Sequence, residues 1–188
     1  GQGCIIFYPD DWNWINLSSN PNLQLEWIKK YPEQDWDWKE MSLHKNLQLE
    51  WLESFPDKDW DWGRLGISEN TNLKLEWINK FPDKDWKWDM NGISGNEGLQ
   101  LELLENYPNK NWCWSQVSDS YNINFKWLES LSLYLDFAEL SHHTEIEFKW
   151  IEGYLNKKWN WNIIITNSFE KEVKIRKRWR ILLDLYSN

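Results

Sequence analysis

The chain has 188 residues, 18 of them tryptophan, and a formal net charge of −9, so it is long enough to bury a substantial core. No run of about 18 apolar residues occurs, which excludes a membrane-spanning helix, and the acidic charge disfavours nucleic acid and anionic lipid as partners. The only cysteines, Cys4 and Cys113, lie in unrelated contexts, and such sparse cysteine is typical of a reducing, intracellular compartment.

A pair of tryptophans one residue apart recurs along the chain at a nearly fixed interval. The first residues of the pairs are Trp12, Trp36, Trp60, Trp86, Trp112 and Trp159, with Leu135 and Phe137 forming a degenerate pair before the last. The intervals are 24, 24, 26, 26, 23 and 24 residues. Self-similarity at such a period indicates stacked repeats, so we predict a repeat array over residues 1–167.

The second half of each period has the pattern of a helix of about ten residues. In the first period Asn20 can cap it, and Pro21 suits the first helical position, where a missing N–H costs nothing. Leu23, Trp27, Ile28 and Tyr31 then follow at helical spacing. Pro32 should end the helix, because proline disfavours helical backbone in the residue before it.

The first half of each period predicts a shorter helix, which in the third period begins at Trp60 behind the caps Asp57 or Asp59. Tryptophans at i and i+2 of a helix point about 200° apart, which suits a helix packed between the preceding and following periods. Alternation at period 2 is also typical of strands, but the caps and proline stops favour helices. The two 26-residue periods should lengthen a loop or helix end, as at residues 63–66.

Residues 168–188 depart from the repeat, carry six basic and three acidic residues, and predict a long amphipathic helix. Such a helix would cap the array, as terminal repeats do in solenoids. An alternative is that four of its basic residues dock on an acidic partner, for example a second copy arranged head to tail. These are Arg176, Lys177, Arg178 and Arg180. The predicted fold is therefore all-α: two-helix repeats of about 24 residues stacked as an α-solenoid with a C-terminal amphipathic capping helix.

The first period resembles a known family of repeats. Its motifs are Ser18-x-Asn20-Pro21-Asn22-Leu23, Glu26-Trp27-Ile28, Tyr31-Pro32 and Asp35-Trp36-Asp37-Trp38. They are similar to the tryptophan-rich tandem repeats of mimivirus-like giant viruses, over about residues 8–161. The resemblance implies a viral or virus-derived protein found in the infected-cell cytoplasm or the virion, and it brings no active site with it.

The histidines are the first candidates for a chemical site. His44 and His143 occupy the position of Asn20, which predicts substituted helix caps. The alternative, a transition-metal site formed by His142 and His143 with Glu145 and Glu147, is less favoured because adjacent histidines on a cap rarely converge on one ion. No phosphate loop, Cys-x-x-Cys pair or nucleophile elbow occurs, so we predict no enzyme, no metal and no cofactor.

One glutamate recurs in the same position of each early period: Glu26, Glu50, Glu76 and Glu102. It is either part of a solvated helix face, or paired with a neighbouring lysine, or part of an acidic ladder that recognises a basic protein segment. The tryptophans are either buried core or a platform for sugars or bases, and their number matches the core positions that stacking demands. We therefore predict a non-enzymatic scaffold that binds a protein of unknown identity along an extended surface.

Two alternatives to the scaffold follow from the same residues. The chain begins with no initiator Met and no signal peptide, which indicates a fragment or processed ends, and Cys4, Ile5 and Tyr8 match the spacing of a second-half helix. An array that starts inside a broken period could stack end to end as a building block in a particle or filament. Exposed tryptophans could instead make the chain a small-ligand or glycan binder.

Overall fold

The computed structural model describes residues 12–144 and 146–166, and this part of the chain is helical with no β-strand. The all-α prediction is confirmed there, and the strand alternative is excluded for the same residues. The α-helices are α1 Trp14–Ser18, α2 Leu25–Lys30, α3 Trp38–Ser42, α4 Leu49–Ser54, α5 Leu75–Lys80, α6 Leu101–Asn106, α7 Trp114–Ser118, α8 Phe125–Leu131, α9 Phe137–Leu140, α10 Phe148–Gly153 and α11 Trp161–Ile164. None of them is long and apolar enough to cross a bilayer.

The chain forms two compact units, the first ending at Trp112 and the second beginning at Cys113. The first contains α1 to α6, and the second contains α7 to α11. The helices of both units lie within the array predicted over residues 1–167. The segment predicted as a capping helix, residues 168–188, lies outside the described residues.

The second-half helices are shorter than predicted and begin later. Helix α2 has six residues, starts at Leu25 and is preceded by Gln24 as its N-cap. Asn20 instead closes a turn, because its side-chain oxygen accepts from Asn22 N at 2.9 Å and its carbonyl accepts from Leu23 N at 2.8 Å. The prediction that Asn20 caps this helix was therefore wrong. The stop at Pro32 was right, since α2 ends at Lys30 and Tyr31 is its C-cap.

The first-half helices begin at the second tryptophan of a pair, not at the first. In α3 the residue between the tryptophans, Asp37, is the N-cap, and its carboxylate accepts from Glu40 N at 2.9 Å. Trp36 therefore precedes the helix. The prediction that both tryptophans lie on one helix was wrong, because the polar residue between them satisfies a free N–H of the first turn and so sets the start there.

The two 26-residue periods have no first-half α-helix. Short 3-10 helices, Ile67–Glu69 and Ile93–Gly95, take its place after a loop, so the prediction of two α-helices in every period fails here. The loop is closed by Ile67 N, which donates to the Asp61 carbonyl at 2.7 Å. A Cβ on Gly66 would lie 2.1 Å from that carbonyl oxygen, so only glycine permits the close approach.

Leu65, at the tip of the first of these loops, has a φ of 59°, and 64% of its surface is exposed. A left-handed backbone strains a residue with a Cβ by roughly 1–2 kcal/mol. Leu65→Gly should therefore raise the free energy of unfolding by roughly 0.5–1 kcal/mol, after the greater freedom of glycine in the unfolded chain is subtracted. Urea denaturation followed by circular dichroism measures the change.

The matched control is Leu43→Gly, because Leu43 is also an exposed leucine but has a φ of −97°. Glycine there relieves no strain and should destabilise by about 0.5–1 kcal/mol. Equal effects of the two substitutions would show that the backbone at Leu65 is not strained.

Candidate functional site

The contacts that join one period to the next form the most regular feature of the first unit, and the tryptophan pairs supply one set of them. Trp38 meets the next Trp60 edge to face at 5.0 Å, and Trp62 meets Trp86 in the same way at 5.2 Å. The indole N–H of Trp60 donates to the Phe55 carbonyl at 2.9 Å. The same indole bond recurs at Trp36, Trp86, Trp112 and, in the second unit, Trp159. The first tryptophan of each pair thus donates a hydrogen bond to the C-terminal end of the preceding helix.

A buried serine makes a second junction. The Ser42 hydroxyl donates to the Trp38 carbonyl and accepts from Asp61 N in the next period, both at 2.9 Å. Corresponding bonds to the next period join Ser18 to Asp37 and Ser68 to Lys87, and in the second unit Ser118 to Asp136 and Ser141 to Asn160. All five serines are fully buried. Each one therefore satisfies two backbone groups that would otherwise lack a partner.

A buried asparagine makes the third junction. The Asn70 amide donates to the Ser42 and His44 carbonyls of the preceding period at 2.9 and 3.2 Å. Its oxygen accepts from Asn72 N at 2.9 Å. Asn96 repeats this pattern with the Ser68 and Asn70 carbonyls. Asn70 and Asn96 therefore each close a turn in their own period and also bind the backbone of the preceding period.

His44 makes the hydrogen bonds at its junction that an asparagine makes in later periods. Its Nε2 lies 2.8 Å from the Asn20 carbonyl oxygen, and its Nδ1 accepts from Asn46 N at 3.1 Å. Both bonds form together when Nε2 carries the proton and Nδ1 does not. The ring is buried and packs against Trp51. His44 is thus a substituted junction residue, which corrects the prediction of a helix cap.

The histidines of the second unit do not form a metal site within the described residues. His143 is buried against Trp150, and His142 is exposed. Glu147 pairs with Lys149 at 2.9 Å, while Glu145 lies outside the described residues. No group of three or more potential metal ligands comes together in the part of the chain that the structure describes.

Most of the tryptophans belong to the core, as predicted. Of the seventeen in the described residues, eleven are buried: Trp14, Trp36, Trp51, Trp60, Trp62, Trp77, Trp86, Trp112, Trp127, Trp150 and Trp159. Five more are half-buried: Trp12, Trp38, Trp88, Trp114 and Trp161. Trp27 is the one exposed tryptophan of the seventeen, with 38% exposure against 4% for Trp51 and 1% for Trp77 at the same position of later periods. The aromatic side chains are therefore mainly packing groups in both units.

The recurring glutamates are all exposed, and each is the second residue of a second-half helix. Glu26, Glu50, Glu76 and Glu102 occupy this position in α2, α4, α5 and α6. Glu50 pairs with Lys29 at 2.7 Å, whereas the other three form no ion pair within the described residues. A carboxylate in the first turn also favours the helix dipole, which is a structural reason for the repetition.

The acidic turns between helices carry a second set of carboxylates, and lysines pair with two of them. Asp59 pairs with Lys39 at 3.3 Å, and Asp85 pairs with Lys87 at 2.9 Å. Hydrogen bonding to Asp85, together with its charge, raises the pKa of the Lys87 ammonium above its ordinary value, and Asp89 adds to the rise. Lysines also lie over the Trp38 and Trp62 rings. Within the described residues Glu26, Glu76 and Glu102 thus lack the lysine partner that Asp59 and Asp85 have.

The structure leaves one group of predicted site residues unplaced. Arg176, Lys177, Arg178 and Arg180 lie outside the described residues, so their role stays a prediction. The role of the buried serines and asparagines at the junctions between periods was not predicted from the sequence. The repeated motif Ile67-Ser68-x-Asn70-x-Asn72 did signal them, because it places short polar side chains at fixed positions that a solvated loop does not require.

Comparison with known proteins adds no family assignment to this geometry. No protein-family model, curated protein or solved structure matches this chain.

Proposed function

We propose that the periods of each unit stack as an α-solenoid, and that the chain is a non-enzymatic scaffold that binds another protein along a repeated surface. The observation that supports this proposal is the recurrence of the same junctions. Tryptophan pairs, buried serines and buried asparagines or histidine join successive periods of the first unit. Repeated junctions place equivalent side chains at regular intervals, and solenoids use such surfaces to bind extended partners.

The binding surface is the acidic edge, which we define as Glu26, Glu50, Glu76 and Glu102. All four are exposed, and only Glu50 has an ion-pair partner in the described residues. Packed helical layers lie about 8–10 Å apart, a distance that about three residues of extended chain span. The partner is therefore an extended protein segment with a basic residue at about every third position.

The resemblance to mimivirus-like repeats extends this proposal to the place where the protein would act. A viral scaffold would act in the infected-cell cytoplasm or the virion, and the basic segment 168–188 would cap its array. End-to-end stacking is the second candidate, favoured by Trp27, which is exposed where later periods bury the same position. Burial of eleven tryptophans disfavours the third candidate, a glycan binder.

The test of the acidic edge uses the full chain and a labelled peptide with lysine at every third residue. Neutralising Glu26, Glu76 and Glu102 together with Glu→Gln substitutions should weaken binding about 10-fold or more, because three aligned charges are lost. Fluorescence anisotropy at two salt concentrations measures the affinity, and a peptide with the same lysines grouped at one end should bind more weakly.

The matched control removes three exposed carboxylates elsewhere in the same unit. Glu33→Gln, Asp57→Asn and Asp83→Asn alter turn residues that form no ion pair in the described residues. The net charge changes equally, yet binding should weaken by no more than about threefold. Equal losses in the two triple variants would indicate unspecific charge attraction and contradict the proposed edge.

A further inference from the structure

Two inserted loops lie next to each other in the first unit, and we call them loop A, residues 63–66, and loop B, residues 89–92. A Cβ built on Gly63 of loop A would lie 3.6 Å from Cε of Lys87, which stands two residues before loop B, and the 3-10 helices that follow the loops are in contact. Each loop is closed at its base by a backbone bond, from Ile67 N to Asp61 O and from Ile93 N to Lys87 O. The loops are therefore defined structures and occur in successive periods.

Each loop presents an exposed apolar side chain. Leu65 of loop A and Met90 of loop B are 64% and 56% exposed. Leu65 also has the strained φ of 59°. Such strain persists only where the surrounding structure holds the backbone in place, and here the side chain itself is exposed. Strained backbone clusters at functional sites, and exposed apolar side chains mark interaction surfaces where they form a patch.

The loops also carry opposite charges beside these residues. Arg64 in loop A is exposed and forms no ion pair in the described residues, and it is the only arginine before residue 176. Asp89 in loop B is exposed and accepts a hydrogen bond from Asn91 N at 3.1 Å, which holds its carboxylate in place. Loop A is therefore basic and apolar, and loop B is acidic and apolar.

We propose that loops A and B form a self-complementary surface through which two copies of this chain pair. A two-fold axis between the loops brings Arg64 and Leu65 of each copy against Asp89 and Met90 of the other, so each contact occurs twice. A second copy is the occupant because every copy carries both the positive loop A and the negative loop B, so the charges of two copies complement each other across the two-fold axis. This pairing goes beyond the scaffold function and uses none of the acidic edge.

Sedimentation velocity of the full chain tests the pairing. The exposed area is small, so a reversible dimer is expected at protein concentrations of roughly 10–200 µM. Arg64→Asp and Asp89→Arg should each weaken dimerisation about 10-fold or more, because each places like charges opposite one another twice. The double variant, Arg64→Asp with Asp89→Arg, restores opposite charges and should return the affinity to within about threefold of the parent.

Three outcomes would overturn the proposal: a monomeric parent at all these concentrations, a dimer that both single variants leave unchanged, or a double variant as weak as the single ones. The second would show that self-association uses another surface, such as the end of the array, and the third that Arg64 and Asp89 do not face one another. Melting temperatures within about 2 °C of the parent show that the variants are folded, since exposed substitutions change stability little.

Discussion

Replacing Trp60 by alanine is expected to lower the free energy of unfolding by about 3–5 kcal/mol, as large core truncations do. Trp60 is 4% exposed, meets Trp38 edge to face at 5.0 Å and donates its indole N–H to the Phe55 carbonyl. Alanine therefore leaves a cavity at a junction between periods and removes the partner of a backbone carbonyl. Urea denaturation, followed by circular dichroism, measures the change.

Two further variants separate the parts of this effect. Trp60→Phe keeps an aromatic ring but loses the N–H, so it should cost less, about 2 kcal/mol. Glu76→Ala removes an exposed side chain with no ion pair in the described residues and should change stability by less than about 0.5 kcal/mol. If Trp60→Ala had the same free energy of unfolding as the parent, Trp60 would not belong to the core, and an aromatic ligand platform would become the better interpretation.

Replacing Asn70 by alanine is expected to cost about 2–3 kcal/mol, although the side chain is polar and short. Three hydrogen bonds are lost, to the Ser42 and His44 carbonyls and from Asn72 N. Asn70 is buried, so the groups left behind cannot recover the bonds from bulk water. A buried polar group without a partner costs about 1–3 kcal/mol, and partial access to water limits the sum. The same urea denaturation measures it.

Asn70→His provides the informative comparison, since His44 holds the preceding period with one donor and one acceptor. The histidine variant should cost less than half as much as alanine. Asn22→Ala is the exposed control and should cost less than about 0.5 kcal/mol. A histidine variant as unstable as the alanine variant would mean that shape, and not hydrogen bonding, determines this position.

The sequence alone predicted the existence of most helices but misplaced their beginnings. Leu23, Trp27 and Ile28 have helical spacing, yet α2 starts only at Leu25. Local rules allowed Asn20 to cap a helix, but its side chain closes a turn, and its backbone carbonyl accepts from Leu23 N and also lies 2.8 Å from His44 Nε2 of the next period. The preference for a cap is worth only about 1 kcal/mol, so a tertiary bond can override it.

The candidate site was predictable in part. One glutamate per period follows directly from the repeat, and its exposure follows from its place beside a buried residue of the same helix. The ion pair between Glu50 and Lys29 could not be read from the sequence, because the two residues lie 21 positions apart. Loops A and B were visible only as two extra residues per period. The strained backbone of Leu65 and the contact between the 3-10 helices that follow the loops required coordinates.

By itself the sequence determined the period of about 24 residues, the all-α class and the burial of most tryptophans, because apolar spacing and proline stops act within one period. Only the tertiary structure decided what the polar residues between them do. Ser42, Asn70 and His44 find their partners 19 to 28 residues away, in the neighbouring period. Buried polar groups must be paired wherever a partner lies, and that partner is set by how the periods pack.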